Sequence, residues 1–131
     1  MNINDTLTSV GAVVSACGSR TTCVPPPTDT DEDFLVECTP LQLAAVLQVL
    51  EDAGYNQDVG EHIDDYDGDD LGELFNSFRK GDTNYIVTWD AGFAERHRRA
   101  TKLCKYLNLL DKKHRIAVFQ VVLYEVICEH E

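Results

Sequence analysis

Residues 11–36 read GAVVSACGSRTTCVPPPTDTDEDFLV, and the order of features in this stretch decides the fold. GAVVSAC, residues 11–17, is a run of small and β-branched residues, the composition of a buried strand. It stops at Gly18-Ser19. In TTCVPPPTDT, residues 21–30, consecutive prolines remove donors and hold the chain extended, which predicts a connection without helix. DEDFLVEC, residues 31–38, alternates toward an apolar end and reads as a second strand. Asp31 and Asp33 lie two apart in that strand and so share one face, while Glu32 points to the other.

Chemistry follows from this placement. A strand that ends in glycine lets backbone N–H groups approach an anion closely, and the Ser19 hydroxyl adds a donor. Arg20 comes next, and Thr30 stands ready to hydrogen-bond the turn before the acids. Paired carboxylates on one rigid face suit a hard cation such as Mg²⁺, whose remaining positions a nucleotide triphosphate fills. The plainer reading is a solvated acidic loop between two strands. Gly-Ser or Asp-x-Asp alone is weak; the two joined to successive strands, from Gly18 to Asp31, are more specific.

Working outward, Thr39-Pro40 places a capping residue before a proline suited to the first helical position. Leu41, Ala44, Ala45, Leu47, Val49 and Leu50 then predict an amphipathic helix closing near Gly54. A short helix capped near Asp5 is expected ahead of the first strand. Residues 55–73 are a polar, acidic, glycine-bearing loop. Residues 73–90, ELFNSFRKGDTNYIVTWD, predict a hairpin: a strand to Arg79, a turn at Lys80-Gly81-Asp82 and a strand to Thr88. Two helices close the chain. One spans about 92–109, with Phe93, Ala100, Leu103 and Leu107 inward; the other spans 112–128 through Ile116, Phe119, Val122 and Leu123. The reading is one α/β (α+β) domain over residues 1–131, a mixed sheet of about four strands packed by helices.

On Gly18-Ser19, the loop from Arg20, Asp31-Glu32-Asp33 and the apolar Phe34-Leu35-Val36, the sequence resembles the nucleotidyltransferase superfamily of the DNA polymerase β type. It looks like the compact members found in bacteriophages. The resemblance covers residues 11–90; the helical part, 92–128, adds little to it. It implies a minimal nucleotidyltransferase fold, NTP and Mg²⁺ as ligands, and two-metal transfer of a nucleoside monophosphate to a hydroxyl of RNA, protein or a small molecule. Gly18, Ser19, Arg20 and Thr30 would bind the nucleotide, and Asp31 and Asp33 would be the catalytic metal ligands. The family also carries a third carboxylate on a later strand. Here the candidate strand, 84–88, opens with Asn84, an amide with no charge to hold a cation; Asp82 and Asp90 flank it. Nucleotide binding is therefore the firmer expectation and transfer the weaker.

The net charge of −12 is uneven. Residues 1–78 hold sixteen acids against Arg20 alone, while residues 79–131 hold ten bases against seven acids. An acidic first half can hold cations or meet a basic protein, and the basic second half can face phosphates. This favours, as a second class of function, a catalytically silent protein of the same fold that binds and inhibits a host protein or neutralises a toxin. An acidic DNA mimic is disfavoured by the basic end.

Five cysteines without C-x-x-C spacing predict reduced, packed thiols and a cytoplasmic setting; no signal peptide or membrane span is expected. Asp65, Asp67 and Asp69 invite a calcium loop, but Asp70 and Asn76 stand where glycine and glutamate are needed. Arg98, Lys102 and Lys105 form a basic stripe, and His97 reads as a core histidine.

Overall fold

The computed structural model describes residues 2–26, 32–57 and 74–123. In chain order these residues form α1 (Ile3–Ser9), β1 (Val13–Cys17), α2 (Ser19–Thr22), β2 (Glu32–Glu37), α3 (Leu43–Asp52), β3 (Asn56–Gln57), β4 (Phe75–Lys80), β5 (Thr83–Thr88), α4 (Ala91–Leu107) and α5 (Lys112–Leu123). The α/β class expected from the sequence is the one observed. The strands make one mixed sheet in the order β1-β2-β5-β4-β3. β1 and β2 are antiparallel, β2 and β5 parallel, and β5-β4 and β4-β3 antiparallel. About four strands were expected; the fifth is the two-residue β3, in which Asn56 and Gln57 pair with Arg79 and Phe78 inside the stretch read as loop.

Alternation along the strands divides the sheet between two cores. Leu35 and Ile86, partners across β2 and β5, join Cys17 and Phe75 on one face and pack against Phe93, Ala94, Ala100, Cys104, Phe119, Val122 and Leu123 of α4 and α5. Val36, Tyr85 and Val87 point to the opposite face and meet Leu7 of α1 with Val46 and Leu50 of α3. Burying each such aliphatic side chain contributes roughly 1.5–3 kcal/mol. The hairpin closes as expected at Gly81, whose φ of 58° suits the tight reversal between β4 and β5.

Three helices depart from the sequence reading. Cap geometry sets α1: the Asn2 side chain accepts from the Asp5 N–H, so Asp5 lies in the first turn and is not the cap. Thr39 and Gln42 exchange the reciprocal bonds of a capping box, with Thr39 N to Gln42 Oε1 at 2.9 Å and Gln42 N to Thr39 Oγ1 at 3.3 Å. That box precedes a tight turn, and α3 proper begins only at Leu43. Leu41 is consequently 96% exposed and Ala44 and Ala45 are exposed, leaving Val46 and Leu50 as the buried residues. In α4 the buried stripe runs Phe93, Arg96, His97, Ala100 and Cys104. Leu103 and Leu107, expected inward, are exposed.

Among the described residues no helix is long and apolar enough to cross a membrane. Cys17, Cys23, Cys38 and Cys104 are free thiols, and all four are buried.

Candidate functional site

Strand register gathers one residue from every strand into a single row across one end of the sheet. Cys17 pairs with Asp33, Asp33 with Asn84, Asn84 with Arg79, and Arg79 with Asn56. Paired residues share a face, so the row lies on the side that α4 and α5 cover elsewhere. One step inward on that face are Leu35 and Ile86 of the core. The row marks where the apolar face turns polar.

Gly18 follows Cys17 directly and bends the chain away from β1 with φ 78° and ψ −179°, a backbone state confined to glycine. The space its missing side chain leaves is filled by Asp33. A Cβ built on Gly18 would collide with Asp33 Oδ2 and lie 2.9 Å from both Asp33 Cβ and Cγ. The half-buried carboxylate thus seats beside Gly18. Its charge is felt by Cys17, whose thiol is pushed well above its ordinary range, first by burial and second by Asp33.

From Gly18 the chain enters α2, a single helical turn. Proline restricts only the residues from Val24 onward, so Thr21 and Thr22 are helical, contrary to the expectation that residues 21–30 hold no helix. Gly18 caps this turn without a side chain, leaving the Ser19 and Arg20 N–H groups unsatisfied by the helix itself. Arg20 reaches Glu32 at 3.9 Å in a solvent-exposed pair, a weak tie. Thr30 and Asp31 lie outside the described residues, as do Asp65, Asp67, Asp69 and Cys128.

What sequence reasoning missed is how the far side of the turn is held. Asn108, in the left-handed conformation at the end of α4, accepts from Val24 N at 3.0 Å and donates to Val24 O at 3.2 Å. Arg115 donates to Leu109 O at 2.9 Å, to Leu110 O at 2.8 Å and to Cys23 Sγ at 3.3 Å. Cys23 is therefore an anchor between the Gly-Ser turn and the α4–α5 corner. No local signal could have disclosed it.

The three residues weighed in the sequence as a further ligand, Asn84, Asp82 and Asp90, take separate places. Asp90 caps α4 by accepting from Phe93 N at 2.7 Å, and it follows the opposite end of β5 from Asn84. Asp82 is exposed in the hairpin turn, where its carbonyl accepts from Glu32 N at 2.8 Å. Of these three, Asn84 is the one in register with Asp33. It is buried, and its Oδ1 accepts from Ser77 Oγ at 2.8 Å.

For a hard cation, the donor set is half suitable. Asp33 offers one half-buried carboxylate beside Gly18. Asn84 offers only a neutral amide oxygen, which accepts from Ser77 and supplies no negative charge to hold a second cation. Among the described residues no group of three or more His, Cys, Asp or Glu side chains gathers to hold a metal.

Of the remaining candidates, Arg98 and His97 engage other residues of the fold. Arg98 of the basic stripe pairs with Glu37 at 2.9 Å, while Lys102 and Lys105 are exposed. His97 is sealed between Phe93 and Phe119, with ring centroids 5.8 and 4.9 Å away, and burial followed by Arg98 lowers its pKa to about 3. A neutral, enclosed imidazole is a core residue here, as the sequence suggested. No protein-family model, no curated protein and no solved structure matches this chain.

Proposed function

We propose that this chain is a nucleotidyltransferase-like protein that binds an NTP with Mg²⁺ at the Gly18–Asp33 end of the sheet. The observation that carries this reading is the seating of the Asp33 carboxylate in the space left by the Gly18 side chain. A phosphate group that approaches the Gly-Ser backbone then meets a carboxylate-held cation at the same place. Mg²⁺, when bound, supplies the positive charge that neutralises the triphosphate. Ser19 would donate its hydroxyl to a phosphate oxygen, Arg20 would leave its exposed pair with Glu32 to do the same, and Asp31 with Thr30 would complete the site from the preceding loop.

Calorimetry with Mg²⁺ and a nonhydrolysable NTP tests this reading. Asp31→Asn with Asp33→Asn should abolish Mg²⁺-dependent binding; unchanged affinity in that double variant would sink the assignment.

A second reading is favoured by Asn84 and by the acidic first half. Here the fold is kept for interaction, binding and inhibiting a host protein or neutralising a toxin. Labelled NTP incubated with cell extract separates the two: a labelled product supports transfer to RNA, protein or a small molecule. Capture of one basic protein without labelling supports the interaction reading.

A further inference from the structure

We infer that the corner between α4 and α5 is a docking surface for an anionic lipid bilayer. Four apolar side chains at this corner keep most of their surface in water. Tyr106 is 86% exposed, Leu107 54% and Leu110 59%. Val24, 66% exposed, is tied to the same place: its N–H donates to Asn108 Oδ1 and its carbonyl accepts from Asn108 Nδ2. Single exposed apolar groups are ordinary on a protein surface, but several at one corner mark a contact. The charge there is positive. Residues 99–115 hold six Lys and Arg against Asp111 alone, in a chain of net charge −12. Within this stretch Lys102, Lys105 and Lys113 are exposed, and Asp111 is engaged at the start of α5, where its Oδ1 accepts from Lys113 N.

The charge calls for an anionic partner, and the apolar groups decide which. Val24, Leu107 and Leu110 gain nothing from the phosphates of a nucleic acid, whereas the acyl chains beneath a headgroup layer take them in. A bilayer conforms to the corner, where a folded acidic protein needs a matching hollow. Tyr106 suits the boundary, with an apolar ring and a polar end. Lysine stems lie along apolar surface and leave their charge among the headgroups. The backbone of the corner is also prepared to leave water. Leu109 N–H donates to Cys104 O, and the carbonyls of Leu109 and Leu110 accept from Arg115. Bonds already made within the fold lower the cost of taking this segment into the interface. The acidic remainder of the chain is repelled by the same lipids, which turns the basic corner toward them; salt screens that repulsion beyond roughly 8–10 Å.

Co-sedimentation of the full chain with vesicles tests this surface. The protein should bind vesicles of phosphatidylcholine mixed with phosphatidylglycerol, and should not bind phosphatidylcholine alone. Leu107→Asp with Leu110→Asp should weaken the binding roughly tenfold or more. Lys102→Glu with Lys105→Glu should weaken it as much through charge. All four side chains are exposed, so both variants should stay close to the wild-type urea midpoint. Each variant reports without the other, so misfolding of one leaves the other to decide. Absence of binding to the mixed vesicles overturns the proposal, as does unchanged binding in a folded form of either variant. Polyuridylate and polyglutamate are run in parallel. Binding of either one without binding to vesicles overturns the lipid assignment and gives the corner to nucleic acid or to an acidic protein.

Discussion

Asp33 occupies the space in which any side chain at residue 18 would have to lie. Gly18 is thus constrained twice, by its φ of 78° and by the carboxylate packed against it. Gly18→Ala should cost about 1–3 kcal/mol of stability from backbone strain alone, before the displacement of Asp33 is added. Urea denaturation checks the stability loss, and calorimetry should show NTP affinity reduced at least tenfold. Ser19→Ala, which disturbs neither constraint, should leave stability within about 0.5 kcal/mol. A Gly18→Ala variant as stable as wild type would show that the turn is not held as described.

How much of this was legible in the sequence depends on the distance over which each feature is determined. The strand ending at Gly18, the acidic strand through Asp33 and the hairpin at Gly81 rest on local pattern and local backbone preference, and the structure keeps all three. The row from Cys17 to Asn56 rests on strand register, which pattern alone does not give. The Ser77–Asn84 bond is a diagonal contact across two strands, visible only once that register is known. Helix faces failed for a different reason. Leu41, Leu103 and Leu107 obey the apolar periodicity. Yet Leu41 precedes α3 in the turn after Thr39, Leu107 is the last residue of α4, and Leu103 lies beside the buried stripe through Ala100 and Cys104, not in it.

That distinction between periodicity and burial has a direct consequence for mutants. Leu50→Ala removes a fully buried side chain from the α3 core and should cost about 2–5 kcal/mol. Leu41→Ala, nine residues earlier and 96% exposed, should change stability by less than about 0.5 kcal/mol. Chemical denaturation of the two variants side by side makes the comparison. Equal losses would place Leu41 in a core.

Ser77 and Asn84 form a buried polar pair where the apolar face of the sheet gives way to its polar end. Ser77→Ala leaves the Asn84 oxygen without its donor and should destabilise by about 1–3 kcal/mol. Replacing both, with Ser77→Ala and Asn84→Val, removes the two polar groups together and should recover part of that loss. The double-mutant cycle in urea reports the coupling. Additive losses with no recovery would mean that the two side chains are energetically independent.

The clearest dependence on pH should come from His97. In the unfolded chain its imidazole takes up a proton as the pH falls through about 6.5; in the folded chain burial delays that step to about 3. Between these values the unfolded state binds more protons, so stability declines as the pH falls, by up to about 1.4 kcal/mol per pH unit. The contribution is fully present above pH 6.5 and amounts to a loss of about 2 kcal/mol by pH 5. His97→Leu keeps an apolar group between Phe93 and Phe119 and removes the titration. Other groups titrate alike in both proteins, so the difference between their stability curves isolates this one. Urea midpoints measured from pH 8 to pH 5 should show the variant losing about 2 kcal/mol less than wild type. Parallel curves would mean that His97 accepts its proton as readily folded as unfolded, and that the Phe93–Phe119 enclosure does not keep it neutral.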